Sequence, residues 1–456
     1  MRKKLVRTVL IILVLAVVYG IYFLWNSFPI LTGYNAKLMC SGIFVSHRSE
    51  KDIINTDLSG GLMRLAKCEV NYLDSTVTAS VWGMARQKAI YRGGLGSTLV
   101  SELSEEEIRT QKFPLSVTKI PKTDSIPWPL GDLVNDSVIP GLNYAALQMA
   151  GSEAMNEVID RIPAETYALL VIYNNQIVFE KYGRNIDKHT KLLGWSMAKS
   201  ITSTLLGIMN DNGMIKASDY LNFPEWEHDA RSKITLEHVL QQCSGLDFIE
   251  EYGRRSSVTT MLFRKADMGK YTASHSRLYE PGTVFSYTSG NTNMLCRYMQ
   301  NLLKNRWHSF PYDSLFYPLG MYHSLLERDA SGNYVGSSYI YASARDYARF
   351  GLLYCNNGMF DGKRILSSEW IQAATLPAKA DAQQHYGYQI WLNGYTDASK
   401  VQKLYPEAPD DLICADGYRG QRIIIIPSRK TVVVRLGANP WNEHRFLASA
   451  LSALPS

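Results

Sequence analysis

The longest apolar stretch of the chain runs from Thr8 to Trp25, TVLIILVLAVVYGIYFLW, and contains no charged residue. It is apolar on every face, unlike a helix that packs one side against a soluble core. Its 18 residues would rise roughly 27 Å as a helix, close to the hydrocarbon thickness of a bilayer. The run ends in Tyr-Phe-Leu-Trp-Asn and lacks a small-x-small cleavage site. That ending favours an uncleaved anchor over 8–25, with secretion after signal cleavage as the alternative. Residues 26–110 form a small segment with strand-like STVTASVWG and the acidic, helix-like SELSEEEIRT. Four prolines then fall between Phe113 and Asp132, and the spacing predicts an extended linker over 111–140.

A helix is predicted over 142–162, and from Thr166 the pattern changes. YALLVIYNNQIVFEKYG reads as two strands around Asn174-Asn175, a hairpin signal. A helix follows over about 196–210 and stops at NDNG. Residues 215–380 are mainly helical in pattern: ITLEHVLQQCSG, NTNMLCRYMQNLLKN, SARDYARFGLLYCNNG, SSEWIQAATL. Strand character returns with YGYQIWLN, QRIIIIP and KTVVVRLG, and a helix near 443–453 closes the chain. Two strands before the helical block and about three after it predict an α+β fold. This is an α/β sandwich, an antiparallel five-stranded-type sheet flanked by helices, with a helical insert at approximately 215–380. The main domain then spans 141–456.

Composition changes this picture little: 46% hydrophobic and 20% charged residues are globular values. The net charge of +6 has a location, since Arg2, Lys3, Lys4 and Arg7 carry four charges within residues 1–7. Charge before the span and none just after it puts the N-terminus in the cytoplasm and the remaining chain outside. No basic stripe with interleaved aromatics remains, which excludes nucleic acid as a partner. Six cysteines in 456 residues make no disulfide framework. Cys40 and Cys68 share the early segment and could pair in an exported protein, whereas Cys243, Cys296, Cys355 and Cys414 read as buried thiols. No His or Cys spacing suits zinc, so neither a metal nor another cofactor is indicated. The pattern carries no argument for an oligomeric state.

Three short stretches carry candidate chemistry. In GWSMAKS, Ser196 and Lys199 lie at i and i+3, on one face of the predicted helix. A serine hydroxyl needs a neighbour to take its proton, and a desolvated lysine has its pKa lowered toward that task. Free N–H groups at a helix start also favour a developing oxyanion. The spacing alone is not specific: Ser116-Val117-Thr118-Lys119 repeats it, but Ile120-Pro121 follows and forbids a helix there. Next, Tyr287 and Ser289 in FSYTSGNTNML sit on a loop before a helix, where a tyrosine could shuttle a proton. Last, ADGYRGQRIIIIP is a glycine-rich turn entering a strand, and glycine lets backbone approach a ligand closely.

In this order the three stretches resemble the penicillin-binding-protein and serine β-lactamase superfamily, its class C-like branch. TLEHVLQQCSGL, PGTVFSYTSGNTNML, YPLGM and YIYASARDYARFGLLY are similar too, nearest to the esterase and 6-aminohexanoate-dimer-hydrolase group. The resemblance covers about 165–440. It implies Ser196 as acylated nucleophile, Lys199 as proton acceptor and Tyr287 as acid/base. It also implies an oxyanion hole from the backbone N–H groups of Ser196 and Tyr418, with Ser289 hydrogen-bonding behind them. Gly417 and Gly420 belong to the third motif, and Gln421 and Tyr252 are expected to face the cleft.

The third motif departs from that family. A cation and a hydroxyl that recognise a substrate carboxylate are replaced by Ala415-Asp416-Gly417. Asp416 would repel a carboxylate unless Arg419 or Arg422 compensates. The expectation is therefore a membrane-anchored serine hydrolase for a small-molecule ester or small linear amide. The alternatives are a D,D-carboxypeptidase or β-lactamase, and a ligand-sensing domain that is acylated without turnover.

Overall fold

The computed structural model describes residues 2–135 and 137–455. Its first element, α1 (Arg2–Phe44), is one helix of 43 residues, about 64 Å long. It does not stop where the apolar run stops. The described apolar side chains between Leu5 and Trp25 are exposed, whereas Leu31 to Ile43 are buried in the protein. The helix has a half that nothing covers and a half that belongs to the fold.

Strands β1 (Lys67–Asn71), β2 (Thr76–Val81), β3 (Met84–Arg92) and β4 (Gly96–Leu99) form an antiparallel sheet in chain order. Val77, Ala79, Ala89 and Leu99 pack it against Tyr34, Leu38, Met39 and Ile43 of α1. The Thr32 hydroxyl clips the two together, donating to the Ala85 carbonyl at 2.6 Å. This layer is fixed to the main body through Glu327, which is fully buried. Glu327 is ion-paired with Lys37 and accepts from the Ser41 hydroxyl at 2.9 Å and the Ser97 N–H at 2.7 Å. A buried carboxylate persists only with such partners. Cys40 and Cys68 are both free thiols, as are the other four cysteines, so the early pair is not joined.

Between Thr110 and Tyr144 the described residues hold one 3-10 turn, Thr123–Ser125, and no other helix. The segment is nonetheless strapped down. Arg349 donates to the carbonyls of Pro129 and Gly131, both at 2.6 Å, and to Asp132 Oδ1 at 2.8 Å. Next comes α2 (Tyr144–Met155), shorter than the predicted helix. A small hairpin replaces its end, because Asp160 and Arg161 turn the chain with positive φ (49° and 68°).

Strands β5 (Thr166–Tyr173) and β6 (Gln176–Tyr182) form the expected hairpin, with Asn174 and Asn175 at φ of 48° and 64°. Such values suit a two-residue turn. The helices α3 (Met197–Asp211), α4 (Ser289–Leu303) and α5 (Ala344–Cys355) lie in the block that follows. The chain then returns as β7 (Trp391–Leu392), β8 (Ile413–Gly417), β9 (Gln421–Ile426) and β10 (Thr431–Gly437), and ends in α6 (Glu443–Ala453). The sheet order is β7-β8-β9-β10-β5-β6, antiparallel throughout. The stretch YGYQIWLN, one of the five expected strands, yields only two strand residues, and the sixth strand is β8, whose Ala415-Asp416-Gly417 reads in the sequence as part of a turn. Gln389 has φ of 58° and the Gly387 N–H bonds back to the Ile390 carbonyl at 2.9 Å, so the chain turns there.

The sheet is buried on both faces. Leu170, Ile172, Ile423, Ile425, Val432 and Val434 pack with Ile201 and Leu205 of α3, and Leu169, Val171, Ile424, Ile426 and Val433 pack with Leu147 of α2 and Phe446 and Leu447 of α6. The run of four isoleucines in β9 thus serves two layers, as an unbroken apolar strand should. This sandwich holds the start of α3 against the end of β8.

Candidate active site

The turn before α3 is made by Trp195, which has φ of 49°, a left-handed conformation costly for a bulky side chain. Gly194 has a different task, close approach. A Cβ on Gly417 would sit 2.2 Å from the Gly194 carbonyl oxygen, and one on Gly194 would sit 2.4 Å from the Tyr347 hydroxyl. The two glycines therefore let β8 lie directly against the turn. Ser196 occupies the N-cap of α3 but its side chain caps nothing, leaving the hydroxyl free for chemistry. Ser196 and Tyr418 each keep a backbone N–H that donates to no acceptor among the described residues.

Lys199 is buried at 1% exposure. Its Nζ lies 2.9 Å from Ser196 Oγ, 3.1 Å from Ser289 Oγ and 3.0 Å from the Ser337 carbonyl oxygen. Burial lowers its pKa from the ordinary lysine value to about 8, against the opposing pull of Glu250 and Asp416. As a neutral amine it has two N–H groups and one lone pair. The N–H groups fit Ser289 and Ser337, and the lone pair then faces the Ser196 hydroxyl.

Ser289, the first residue of α4, donates its hydroxyl to Glu250 Oε1 at 2.5 Å, and its N–H to Oε2 at 2.9 Å. Glu250 also accepts from the Tyr252 hydroxyl at 2.9 Å. Tyr287 stands beside this group, its ring centroid 4.8 Å from Lys199 Nζ, packed on Tyr386 at 5.8 Å and Trp391 at 5.4 Å. Burial pushes its phenol well above 10, opposed in part by a hydrogen bond to Ser196. Tyr287 is therefore a proton donor at neutral pH, not a phenolate.

These groups open on a cavity of about 370 Å³ lined by Ser196, Tyr287, Asp416 and Tyr418, and also by Ile30, Leu31 and Tyr34 of α1. Aromatic rings wall it: Trp195 stacks on Tyr34 at 6.3 Å, Tyr418 meets Trp195 edge-on at 5.6 Å, and Tyr252 stacks on Tyr418 at 6.2 Å. Asp416 is paired with Arg422, which also holds Glu443 Oε2 at 2.5 Å. Burial raises the Asp416 pKa to about 6, opposed first by Arg422. Arg422 is thus engaged twice, and Arg419 is the arginine that lines the cavity.

The structure brings Ser196, Lys199, Tyr287, Ser289, Tyr252, Asp416 and Tyr418 together. One expectation needs correction. Gln421 does not face the cleft: its amide donates to the Gly437 and Tyr418 carbonyls (2.5 and 3.1 Å) and accepts from the Gly437 N–H at 2.9 Å. Gly420 lies in the turn, with φ of 76° and Trp441 and Arg435 behind it. Ser116 of the second Ser-x-x-Lys is bonded to Asp313 and lies outside the cavity. Sequence reasoning missed Glu250, Ser337 and the α1 wall. Only the continued apolar pattern after Trp25 signalled the last.

Among the described residues, Asp132, His189 and His323 form one group with possible metal-donor atoms within 4.8 Å. None of the three lines the serine's cavity. Arg349 at 2.8 Å and Arg345 at 3.5 Å already face the Asp132 carboxylate, and their charge opposes a cation.

A sequence model named Beta-lactamase matches residues 155–445. The 6-aminohexanoate-dimer hydrolase of Paenarthrobacter ureafaciens is 21% identical over 302 residues, covering 61% of this chain and 74% of that protein. A penicillin-binding protein homolog from Caulobacter crescentus has the same fold, with a TM-score of 0.55 at 13% identity over 71% of this chain and 99% of the other. A family VIII carboxylesterase gives 0.54 at 14% identity, over 70% and 99%.

Proposed function

From the premise that this chain belongs to the Beta-lactamase family and is a serine hydrolase, we propose that it is membrane-anchored and cleaves carboxylic esters or small linear amides through an acyl-enzyme on Ser196. The observation that carries this reading is the wiring of Lys199. Its buried Nζ is 2.9 Å from Ser196 Oγ, with its other contacts at Ser289 and Ser337.

In the first half-reaction the Lys199 lone pair takes the hydroxyl proton as Ser196 Oγ bonds to the carbonyl carbon. The N–H groups of Ser196 and Tyr418 receive the oxyanion. When the carbonyl reforms, the bond to the leaving group breaks. Tyr287 gives that group its phenolic proton and regains one from the Lys199 ammonium. Water then attacks the acyl carbon, its proton passes to Lys199 and on to Ser196 Oγ, and the acid departs.

The substrate class follows from charge. Asp416 lines the cavity with its charge matched by Arg422, which is shared with Glu443, and Arg419 stands on the same wall, so the site offers an acid and a cation together in place of the cation and hydroxyl by which relatives hold a carboxylate. The unbroken passage of α1 from its exposed half into the fold supports a retained anchor, with the basic N-terminus in the cytoplasm and the hydrolase outside.

The test uses the full chain in detergent with a fluorophosphonate probe and a short-chain nitrophenyl ester. Labelling and turnover are expected, and both should vanish in Ser196→Ala. Equal labelling of that variant would sink the reading. Fast nitrocefin turnover would instead favour a β-lactamase, and a label that persists for hours without ester turnover would favour a sensor.

A further inference from the structure

The cavity in front of Ser196 has walls from outside the region that the Beta-lactamase family covers. Ile30, Leu31 and Tyr34 of α1 and Met63 face it, with Trp195 and Phe263. Tyr34 and Phe263 meet edge to face at 5.6 Å, closing the apolar part. Ile30 lies only five residues past Trp25, about 7.5 Å along the helix axis. The same helix is therefore the proposed span and, one to two turns later, a wall of the cavity.

Around that exit from the span the surface has the make-up of a membrane interface, aromatic side chains and cations together. Trp25 is 79% exposed and Trp82, on the turn between β2 and β3, is 72% exposed. Phe28 of α1 contacts Trp82 at 5.9 Å. Arg255 donates to Asn26 Oδ1 at 2.9 Å, and its loop supplies Glu250 and Tyr252 to the site. The loop of the catalytic groups and the helix leaving the bilayer are thus directly joined.

We propose that this cavity is an acyl-chain site, and that the substrates are esters of medium-length or longer acyl chains drawn from the bilayer that holds α1. The proposal rests on the hydrolase reading of Ser196. A cavity of about 370 Å³ holds about a dozen water-sized groups. That is room for an ester and a chain of about eight carbons. Each methylene buried there favours binding about fourfold.

The test places the full chain in phosphatidylcholine nanodiscs and measures kcat/KM for nitrophenyl acetate, butyrate, octanoate and decanoate. A rise of at least a hundredfold from acetate to octanoate is expected. Leu31→Trp should move the optimum to shorter chains and Leu31→Ala to longer ones, opposite shifts that a folding defect does not produce. A flat series with Ser196 still labelled overturns the acyl-chain site and leaves the hydrolase standing. A second readout is independent of turnover: a diazirine-bearing fatty-acyl ester in the same nanodiscs, irradiated with Ser196→Ala. Crosslinks at Leu31 or Phe263 are expected, and crosslinks confined to the span overturn the proposal whatever the fate of Ser196 as a nucleophile.

Discussion

Lys199 reacts only as the neutral amine, and burial places that change at about pH 8. A base must lose its proton to act, so kcat/KM should climb with pH and level off above about 8. The carboxylates of Glu250 and Asp416 pull the other way, favouring the ammonium. Glu250→Gln removes one of these charges while keeping an acceptor for Ser289. The expected result is the rising limb moved to lower pH, read from pH profiles of ester hydrolysis; a limb moved upward would contradict the assignment of Lys199 as base. Lys199→Ala should cost about 10²–10⁴-fold in kcat. Ser196 and Lys199 could be placed on one face because they lie three residues apart on one helix, whereas Tyr287, 91 residues on, joined them only through the resemblance of the three stretches taken in order. Glu250 was not legible, since it reaches Ser289 across 39 residues, and one glutamate in GLDFIEEYG carries no mark of that meeting.

Between elements, the decisive contact is β8 against the turn ahead of α3. Gly417→Ala would put a methyl 2.2 Å from the Gly194 carbonyl oxygen, backbone that has no rotamer to yield. Either β8 or the nucleophile turn must shift, and both the Ser196 and Tyr418 N–H groups ride on that junction. A displacement of about 1 Å at a reacting centre costs on the order of 10²-fold. Gly417→Ala should therefore lose about that factor in kcat with an unchanged circular dichroism spectrum; full activity would mean that the junction does not set the oxyanion geometry. The strands and helices of the sandwich were readable from periodicity, as β5, β6, β9, β10 and α6 demonstrate. Misjudged stretches were those redirected by backbone conformation, the hairpin after α2 with its turn at Asp160-Arg161 and YGYQIWLN at Gln389, where positive φ overrides the sequence pattern.

At the scale of the molecule, α1 has an exposed half and a buried half, and the continued apolar pattern after Trp25 marks the second half as packed without showing that it meets the cleft. The two halves predict different outcomes for two truncations. The described apolar side chains before Asn26 are exposed, so a chain starting at Asn26 should fold, melt like the parent in detergent and hydrolyse nitrophenyl acetate. A chain starting at Glu50 loses Leu31, Leu38, Met39 and Ile43, all buried. At about 1.5–3 kcal/mol for each buried side chain, their loss approaches a whole domain's margin of about 5–15 kcal/mol. It also strands Glu327 without Lys37 or Ser41, and an uncompensated buried charge costs about 3–5 kcal/mol. The longer truncation should fail to fold or melt far lower, which thermal unfolding of both chains measures. If the chain from Glu50 onward instead stays folded and active, α1 is only a tether, and the cleft is complete without it.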